Sequence, residues 1–152
     1  MERNCPTPQD SDLLDTPTAS RSFLAQLTER LDAHALQDLD QFSAGKDDFL
    51  VFMLRKADEL LTGMLPGMEQ RLAARQFAAM ADDVHKLKSS VSYIGEKKLD
   101  RMANRAEPVL RALSASSTSE AVAEAQALAT EVTREVRVFL DWLRACLAQI
   151  PA

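Results

Sequence analysis

The sequence predicts an all-α protein, and three observations support this fold class. Aromatic residues make up only 5% of the 152 residues and there are only four glycines, so the residues typical of strands and tight turns are scarce. Long stretches rich in Ala, Leu, Glu and Arg carry most of the chain and favour helices. Apolar residues recur there every three or four positions. We therefore expect an antiparallel up-down-up-down four-helix bundle with one or two short accessory N-terminal helices.

The chain divides into a tail and one domain. Residues 1–17 are polar and contain three prolines, which predicts a flexible N-terminal tail. Residues 18–152 are predicted to form the helical bundle domain. Short accessory helices are expected from about residue 19 and around residues 36–42, covering one end of the bundle.

Two long helices are predicted in the middle of the chain. The first starts near residue 47, and its apolar positions recur up to residue 72. Pro66 lies inside it and lacks a backbone N–H, so we expect one kinked helix. The second covers about residues 75–93 and ends near Gly95, a residue suited to a left-handed helix end.

Two further helices complete the predicted bundle. One begins near Leu99 and contains Pro108, where a second kink is expected. A serine-rich loop follows it. Ser117, with Glu120 three residues later, is predicted to form a capping box at the start of the last helix, which ends near residue 151.

Charge and composition exclude several classes of function. The formal net charge of −5 disfavours a nucleic-acid binder, which must neutralise phosphates with Lys and Arg. No signal-peptide core and no apolar run of membrane-spanning length occurs, so we expect a soluble cytoplasmic protein. Cys5 and Cys146 are far apart and indicate neither a metal site nor a disulfide framework.

His85 is the strongest candidate for chemistry. It follows Val84, the centre of the apolar stripe of the second long helix, by about 100°, which places it at the solvent edge. Lys88 and Ser89 stand one turn further on, and helical side chains lean toward the N-terminus, so both lean over the imidazole. Imidazole is mostly neutral at cytoplasmic pH and therefore nucleophilic. Lys88 would stabilise a phosphoryl group placed on the ring, and the small Ser89 leaves the ring open.

The segment H-K-L-K-S-S that starts at His85, followed by Gly95, resembles the signature of histidine-containing phosphotransfer domains. That signature is usually H-x-L-K-G-S with a glycine ten positions after the histidine. The one departure is Ser89, where glycine is commonest. The resemblance implies that His85 is the phosphoacceptor, through Nε2, and exchanges phosphoryl with a receiver-domain aspartate. It also implies that Lys88 offsets charge and Ser89 makes room.

The implied partners are the receiver domains of response regulators and of a hybrid sensor histidine kinase, with no nucleic acid and no membrane. No cofactor is expected on this chain, because the magnesium would belong to the receiver. From His85 to Arg105 six basic residues stand against two acids, which suits an acidic receiver face. The residues expected to bind the partner are Asp82, Lys86, Ser92, Gly95, Lys98, Arg101 and Arg105, of which the last three form a stripe on one flank of the third long helix.

Three alternatives stand beside this hypothesis. A di-iron bundle would need a second acid-x-x-His pair to match Asp82 and His85, but Leu31 stands three residues before His34. A sensor-kinase dimerisation hairpin would resemble this segment only with an acid straight after the histidine, where Lys86 stands. With no glycine-rich ATP-binding segment either, no autokinase activity is expected, and the chain would be a phosphoryl carrier rather than an ordinary enzyme. The remaining alternative is a phosphorylation-independent helical adaptor that binds a response regulator or another signalling partner.

The predicted oligomeric state is a monomer. The apolar stripes of the four long helices are used up within one bundle, and no unbroken heptad seam remains for a partner copy.

Overall fold

The computed structural model describes residues 26–32, 47–92 and 96–150. Four helices follow one another in it: α1 (Asp47–Ala73), α2 (Phe77–Val91), α3 (Lys97–Ala112) and α4 (Ser119–Leu147). They correspond to the four predicted long helices, in the predicted order. The all-α fold class is therefore confirmed.

The helices pack as a four-membered ring. α1 contacts α2 and α4, and α3 contacts the same two helices, so each helix has two principal neighbours. Each helix directs one apolar stripe inward, and burial of these stripes is the main stabilising term of the fold. The stripes contribute Leu50, Leu54, Ala57 and Leu61 from α1, Val84, Leu87 and Val91 from α2, Leu99, Ala103 and Leu110 from α3, and Val132, Val136, Phe139 and Leu143 from α4.

Both interior prolines lie within unbroken helices. α1 continues through Pro66 and α3 through Pro108, as predicted for one continuous element in each case. A proline removes one backbone hydrogen bond, but the apolar stripe continues on both sides of it. Packing of this stripe against the core therefore stabilises the helix where the hydrogen bond is missing.

A tight reversal joins α1 to α2. The N–H of Gln76 donates to the carbonyl of Arg71 at 2.9 Å, and the N–H of Arg75 donates to that of Leu72 at 3.1 Å. This pair of bonds is the Schellman helix end, which requires a left-handed residue, and Arg75 occupies that position with φ 56°. The second helix therefore starts at Phe77, later than the predicted start at residue 75.

The cap of α4 also differs from the prediction by one residue. Thr118, not Ser117, is the N-cap, and its side chain accepts from the N–H of Ala121 at 3.1 Å. The Ser117 hydroxyl instead accepts from the N–H of Ser114 at 2.8 Å and closes the preceding loop. Both residues are capping types, so sequence alone could not decide between them.

The segment of residues 26–32, called here the N-terminal turn, closes one end of the bundle. Leu27 and Leu31 are buried in the core, and Leu31 forms an isolated antiparallel bridge with Glu96. Most of the first expected accessory helix, which should start at about residue 19, lies outside the described residues. The expected flexible tail of residues 1–17 and the expected second accessory helix lie outside the described residues.

None of α1 to α4 combines the length and the apolar character needed to cross a membrane. No three side chains of His, Cys, Asp or Glu gather into a possible metal site among residues 26–32, 47–92 and 96–150.

Candidate functional site

His85 stands on the outer face of α2, where that helix meets α3. Its side chain is 62% exposed, while Val84 beside it is buried in the core. The helical turn explains this contrast, since successive residues point about 100° apart. His85 is thus held by a rigid, packed helix and presents its ring to solvent.

A carboxylate from α3 contacts the imidazole. The Nδ1 atom of His85 lies 3.2 Å from Oε2 of Glu107, whose side chain is only 13% exposed. Glu107 also binds two cations. The ammonium of Lys88 donates to Oε1 at 3.1 Å, and Nε of Arg111 donates to Oε2 at 3.0 Å. Arg111 reaches back to α2 as well, where its Nη1 donates to Asp82 at 3.2 Å.

These contacts fix the charge of the carboxylate. Burial by itself would raise the pKa of Glu107, but the hydrogen bonds from Lys88 and Arg111 outweigh it, and the pKa lies below its ordinary value. The hydrogen bonds to Glu107 and Asp82 likewise raise the pKa of Arg111. Glu107 is therefore ionised at neutral pH.

The ionised carboxylate determines which nitrogen of the ring carries the proton. A carboxylate can only accept hydrogen bonds, so the contact with Glu107 requires a proton on Nδ1 of His85. In the neutral ring the lone pair then lies on Nε2, on the side of the ring away from Nδ1. With Nδ1 facing Glu107, the lone pair on Nε2 of this mostly exposed side chain can act as a nucleophile.

The remaining predicted residues of α2 surround His85 in different ways. Ser89 is exposed one turn beyond it, on nearly the same face. Asp82 is exposed one turn before it and binds Arg111. Lys86 and Ser92 are exposed, and Ser92 is the C-cap residue of the helix. Gly95 lies outside the described residues.

The predicted basic stripe does not border His85. Lys98 pairs with Glu135 at 3.3 Å and Arg105 pairs with Glu131 at 3.3 Å, and both acids belong to α4. Arg105 and Glu107 are two residues apart and therefore point about 160° away from each other around α3. The structure thus separates these two cations from the imidazole and places them on the flank of α3 that faces α4.

Arg101, the third member of the stripe, is exposed on the outer side of α3. Unlike Lys98 and Arg105, it forms no ion pair with an acid of α4 in the described part of the chain.

Sequence reasoning missed Glu107 and Arg111, although a signal for them exists. In an antiparallel hairpin, residues at equal distances from the connection lie opposite each other. The α2–α3 connection is centred near residue 94, so residue 85 falls opposite residue 103, one helical turn before Glu107. Arg111 follows Glu107 by four residues, which is the spacing of a helical ion pair.

Comparison with known protein families agrees with the fold. The family model described as the Hpt domain matches residues 50–150, which are 101 of the 152 residues and include His85. Searches of curated proteins and of solved structures found no match. Hpt domains act in phosphotransfer within two-component phosphorelays and interact with receiver domains. Because the match covers well over half of a chain that folds as a four-helix bundle, this protein belongs to the Hpt domain family.

Proposed function

We propose that Nε2 of His85 accepts a phosphoryl group from the aspartate of one receiver domain and passes it to another receiver domain. The observation that carries this proposal is the contact between His85 Nδ1 and the ionised Glu107. In the neutral ring this contact places the lone pair on Nε2, and the ring is mostly exposed. A receiver aspartate must reach that nitrogen, and an exposed ring on a rigid helix allows this approach.

The proposed step needs no proton transfer. The Nε2 lone pair attacks phosphorus while the bond between phosphorus and the aspartyl oxygen breaks, and the aspartate leaves as a carboxylate. The imidazole then carries the phosphoryl group on Nε2, its proton on Nδ1 and a positive charge. Glu107 faces that proton and would stabilise the charged ring. The reverse step, toward a second aspartate, uses the same contacts, which suits a carrier.

Lys88 and Arg111 have two proposed roles. Both bind Glu107 and keep it ionised, which maintains the tautomer of His85. Both also bring positive charge to the edge of the ring, where it would offset the charge of the phosphoryl group. The Mg²⁺ that assists such a transfer would be bound by the receiver rather than by this chain.

The proposed docking surface for a receiver is the outer face of α2 together with the adjoining edge of α3. Ser89 lies one helical turn beyond His85 on that face, and its small side chain would let a receiver approach the ring. Asp82, Lys86 and Ser92 extend the surface along α2, and Arg101 extends it onto α3. We propose smaller contributions from Lys98 and Arg105, because acids of α4 already neutralise them.

The test is transfer of labelled phosphate from a phosphorylated receiver domain to the full chain. We expect an acid-labile, base-stable label on the wild-type protein, located on His85 by mass spectrometry. His85→Ala should abolish the label, whereas the matched variant His34→Ala should acquire it normally, because the chain has only these two histidines. A label that persists in folded His85→Ala protein would refute the proposal.

The adaptor alternative makes a different prediction in the same assay. An adaptor would bind the receiver with equal affinity in the wild type and in His85→Ala, and neither protein would acquire phosphate. Measuring receiver binding beside transfer therefore separates the two functions.

A further inference from the structure

A groove of about 790 Å³ lies on a different face of the bundle from His85. It runs between the C-terminal end of α1 and the first half of α4, whereas His85 stands between α2 and α3. The floor of the groove is formed by small and apolar side chains. These are Leu72, Ala73, Ala123, Ala127 and Thr130.

The rim of this groove is basic. Arg75, Arg134 and Arg137 line it, together with a single acid, Glu69, which pairs with Arg137. Within the described part of the chain, Arg134 forms no ion pair and Arg75 contacts only the ring of Phe77, at 5.9 Å. The groove therefore carries two guanidinium groups that no carboxylate among the described residues neutralises. An acidic occupant would complement them.

One wall of the groove contains a polar atom without a partner. The side-chain amide oxygen of Gln126 is buried, and it has no hydrogen-bond donor among the described residues. Leaving a buried amide group unpaired destabilises a fold, and such groups are usually satisfied. If this side chain turned toward the groove, backbone N–H groups of an occupant would supply the missing donor. Taken together, the floor, the rim and Gln126 suit an extended peptide that combines apolar and acidic side chains.

The chain itself carries such a segment. Residues 10–15 read D-S-D-L-L-D, so three aspartates flank two leucines. We propose that this segment occupies the groove of its own molecule, with the leucines on the alanine floor and the aspartates against Arg75 and Arg134. The charges are complementary, because the segment has a charge of −3 and the rim has three arginines and one glutamate.

The connection is long enough for this placement. The described chain begins at Gln26, four residues before Arg30, which binds Glu135 on α4. Along α4, Glu135 and the far end of the groove at Ala123 are twelve residues apart, or about 18 Å. Residues 16–25 can span up to about 33 Å. A tether of this length gives an effective concentration in the millimolar range, so even weak contacts would hold the segment.

The experiment compares amide NMR spectra of the ¹⁵N-labelled full chain with those of a variant in which Asp10, Asp12 and Asp15 are each replaced by Asn. We expect shift changes at Ala123, Ala127 and at the side-chain amide of Gln126, far from the substitutions in sequence. The signals around His85 should stay unchanged. Shift changes confined to the tail itself would overturn the proposal.

Two controls define the outcome. In an Arg134→Glu background, the aspartate substitutions should no longer shift the groove signals. Arg55 is an exposed arginine elsewhere on α1, so in an Arg55→Glu background the aspartate substitutions should shift the groove signals as they do in the wild type. The shifts must also be independent of protein concentration. A dependence on concentration would show that the groove takes a segment of a second molecule, and the intramolecular proposal would be wrong.

Discussion

Two carboxylates of this molecule, Glu107 and Glu96, are each paired with an arginine, but their environments differ. Glu96 is fully buried and lies at the end of the bundle that the N-terminal turn closes. Its carboxylate accepts from Nε of Arg30 at 2.8 Å and from the N–H of Leu99 at 3.1 Å. Glu107 is also nearly covered, yet one of its partners, His85, is mostly exposed.

Arg30, the cation that pairs with Glu96, is itself largely covered. Arg30 also pairs with Glu135 and lies over the ring of Phe139, 5.3 Å from its centroid. Burial would lower the pKa of Arg30, but the hydrogen bonds that Arg30 donates to Glu135 and Glu96 outweigh burial and raise it. This cluster ties the N-terminal turn to α3 and α4.

Ion pairs to a carboxylate therefore have two different roles in this molecule. Where the carboxylate and its guanidinium partner are both largely covered, as for Glu96 and Arg30, removing one leaves the other charge buried and unpaired, so the pair acts on stability. Where one partner is a titratable ring left open to solvent, as for Glu107 and His85, the carboxylate sets the tautomer of that ring. Exposure of the titratable ring, rather than the presence of the ion pairs, separates the two sites.

The largest effect on stability is expected from Glu96→Ala. This substitution removes the N-cap of α3 and one partner of Arg30. We expect the free energy of unfolding to fall by about 3 kcal/mol. This is at the lower end of the range for a broken buried ion pair, because Arg30 keeps its second partner, Glu135. The melting temperature should fall by roughly 6–12 °C. Glu131→Ala, which removes an exposed pair with Arg105, should cost less than about 1 kcal/mol. Equal losses in the two variants would remove the contrast between buried and exposed pairs.

Glu107→Gln is expected to act on transfer rather than on stability. A glutamine amide can either accept from or donate to Nδ1 of His85, so the tautomer is no longer fixed. Transfer should slow by roughly tenfold or more, the scale seen when carboxylates that orient other histidines are removed.

The readout that isolates this role of Glu107 is the ¹⁵N spectrum of the His85 ring. The wild type should show a protonated Nδ1 and an unprotonated Nε2, and Glu107→Gln should show a mixture. Glu131→Gln serves as the control for a general loss of charge. An unchanged tautomer together with an unchanged rate in Glu107→Gln would contradict the assignment.

A smaller, partner-dependent effect is expected from Ser89→Leu. The larger side chain would keep the receiver aspartate away from the ~3–3.5 Å approach that transfer requires, so single-turnover transfer should slow several-fold. Ser89 is exposed, so the free energy of unfolding of the variant should stay within about 0.5 kcal/mol of the wild-type value. Ser89→Gly should transfer normally, at a helix cost of up to about 1 kcal/mol. Gln70→Leu, an exposed substitution on α1, is the matched control, and equal rates in the two leucine variants would mean that receivers dock elsewhere.

The smallest effect concerns acid stability. The pKa of Glu107 in the folded protein is below its ordinary value of 4.5, so the native carboxylate holds its proton more weakly than the unfolded chain does. Its contribution to stability is present above that ordinary value and is lost as the pH falls toward the lowered pKa. The groups that face it are His85, Lys88 and Arg111, and Arg111 in turn faces Asp82.

Urea unfolding of the wild type and of Glu107→Gln at a series of pH values measures this contribution. The difference in midpoint should be largest at neutral pH and should narrow in acid. A difference that does not depend on pH would mean that the ionised form of Glu107 is not what stabilises the cluster.

Much of the fold could be predicted from apolar periodicity. That pattern places the four long helices because it records which face of each helix is buried, and burial is the term that decides the fold. The helix ends were less predictable. Thr118 and Ser117 are equally suited to cap α4, and the end of α1 depends on Arg75 adopting a conformation that sequence rules reserve for glycine.

The candidate site was predictable on one helix only. His85, Lys88 and Ser89 are close in sequence, and helical geometry relates them directly. Glu107 and Arg111 come from the neighbouring helix, so their contact with His85 depends on the register between two elements. The flank on which Lys98 and Arg105 lie depends on the same register, so their position relative to His85 could not be read from the sequence.

Arg75 shows where stability and binding would compete in this protein. A left-handed conformation costs a residue with a side chain roughly 1–2 kcal/mol relative to glycine, and Arg75 adopts it with φ 56°. Engineering for thermal stability alone would therefore favour glycine at position 75. Such a variant would melt at a higher temperature, but it would have lost one of the three guanidinium groups on the groove between α1 and α4.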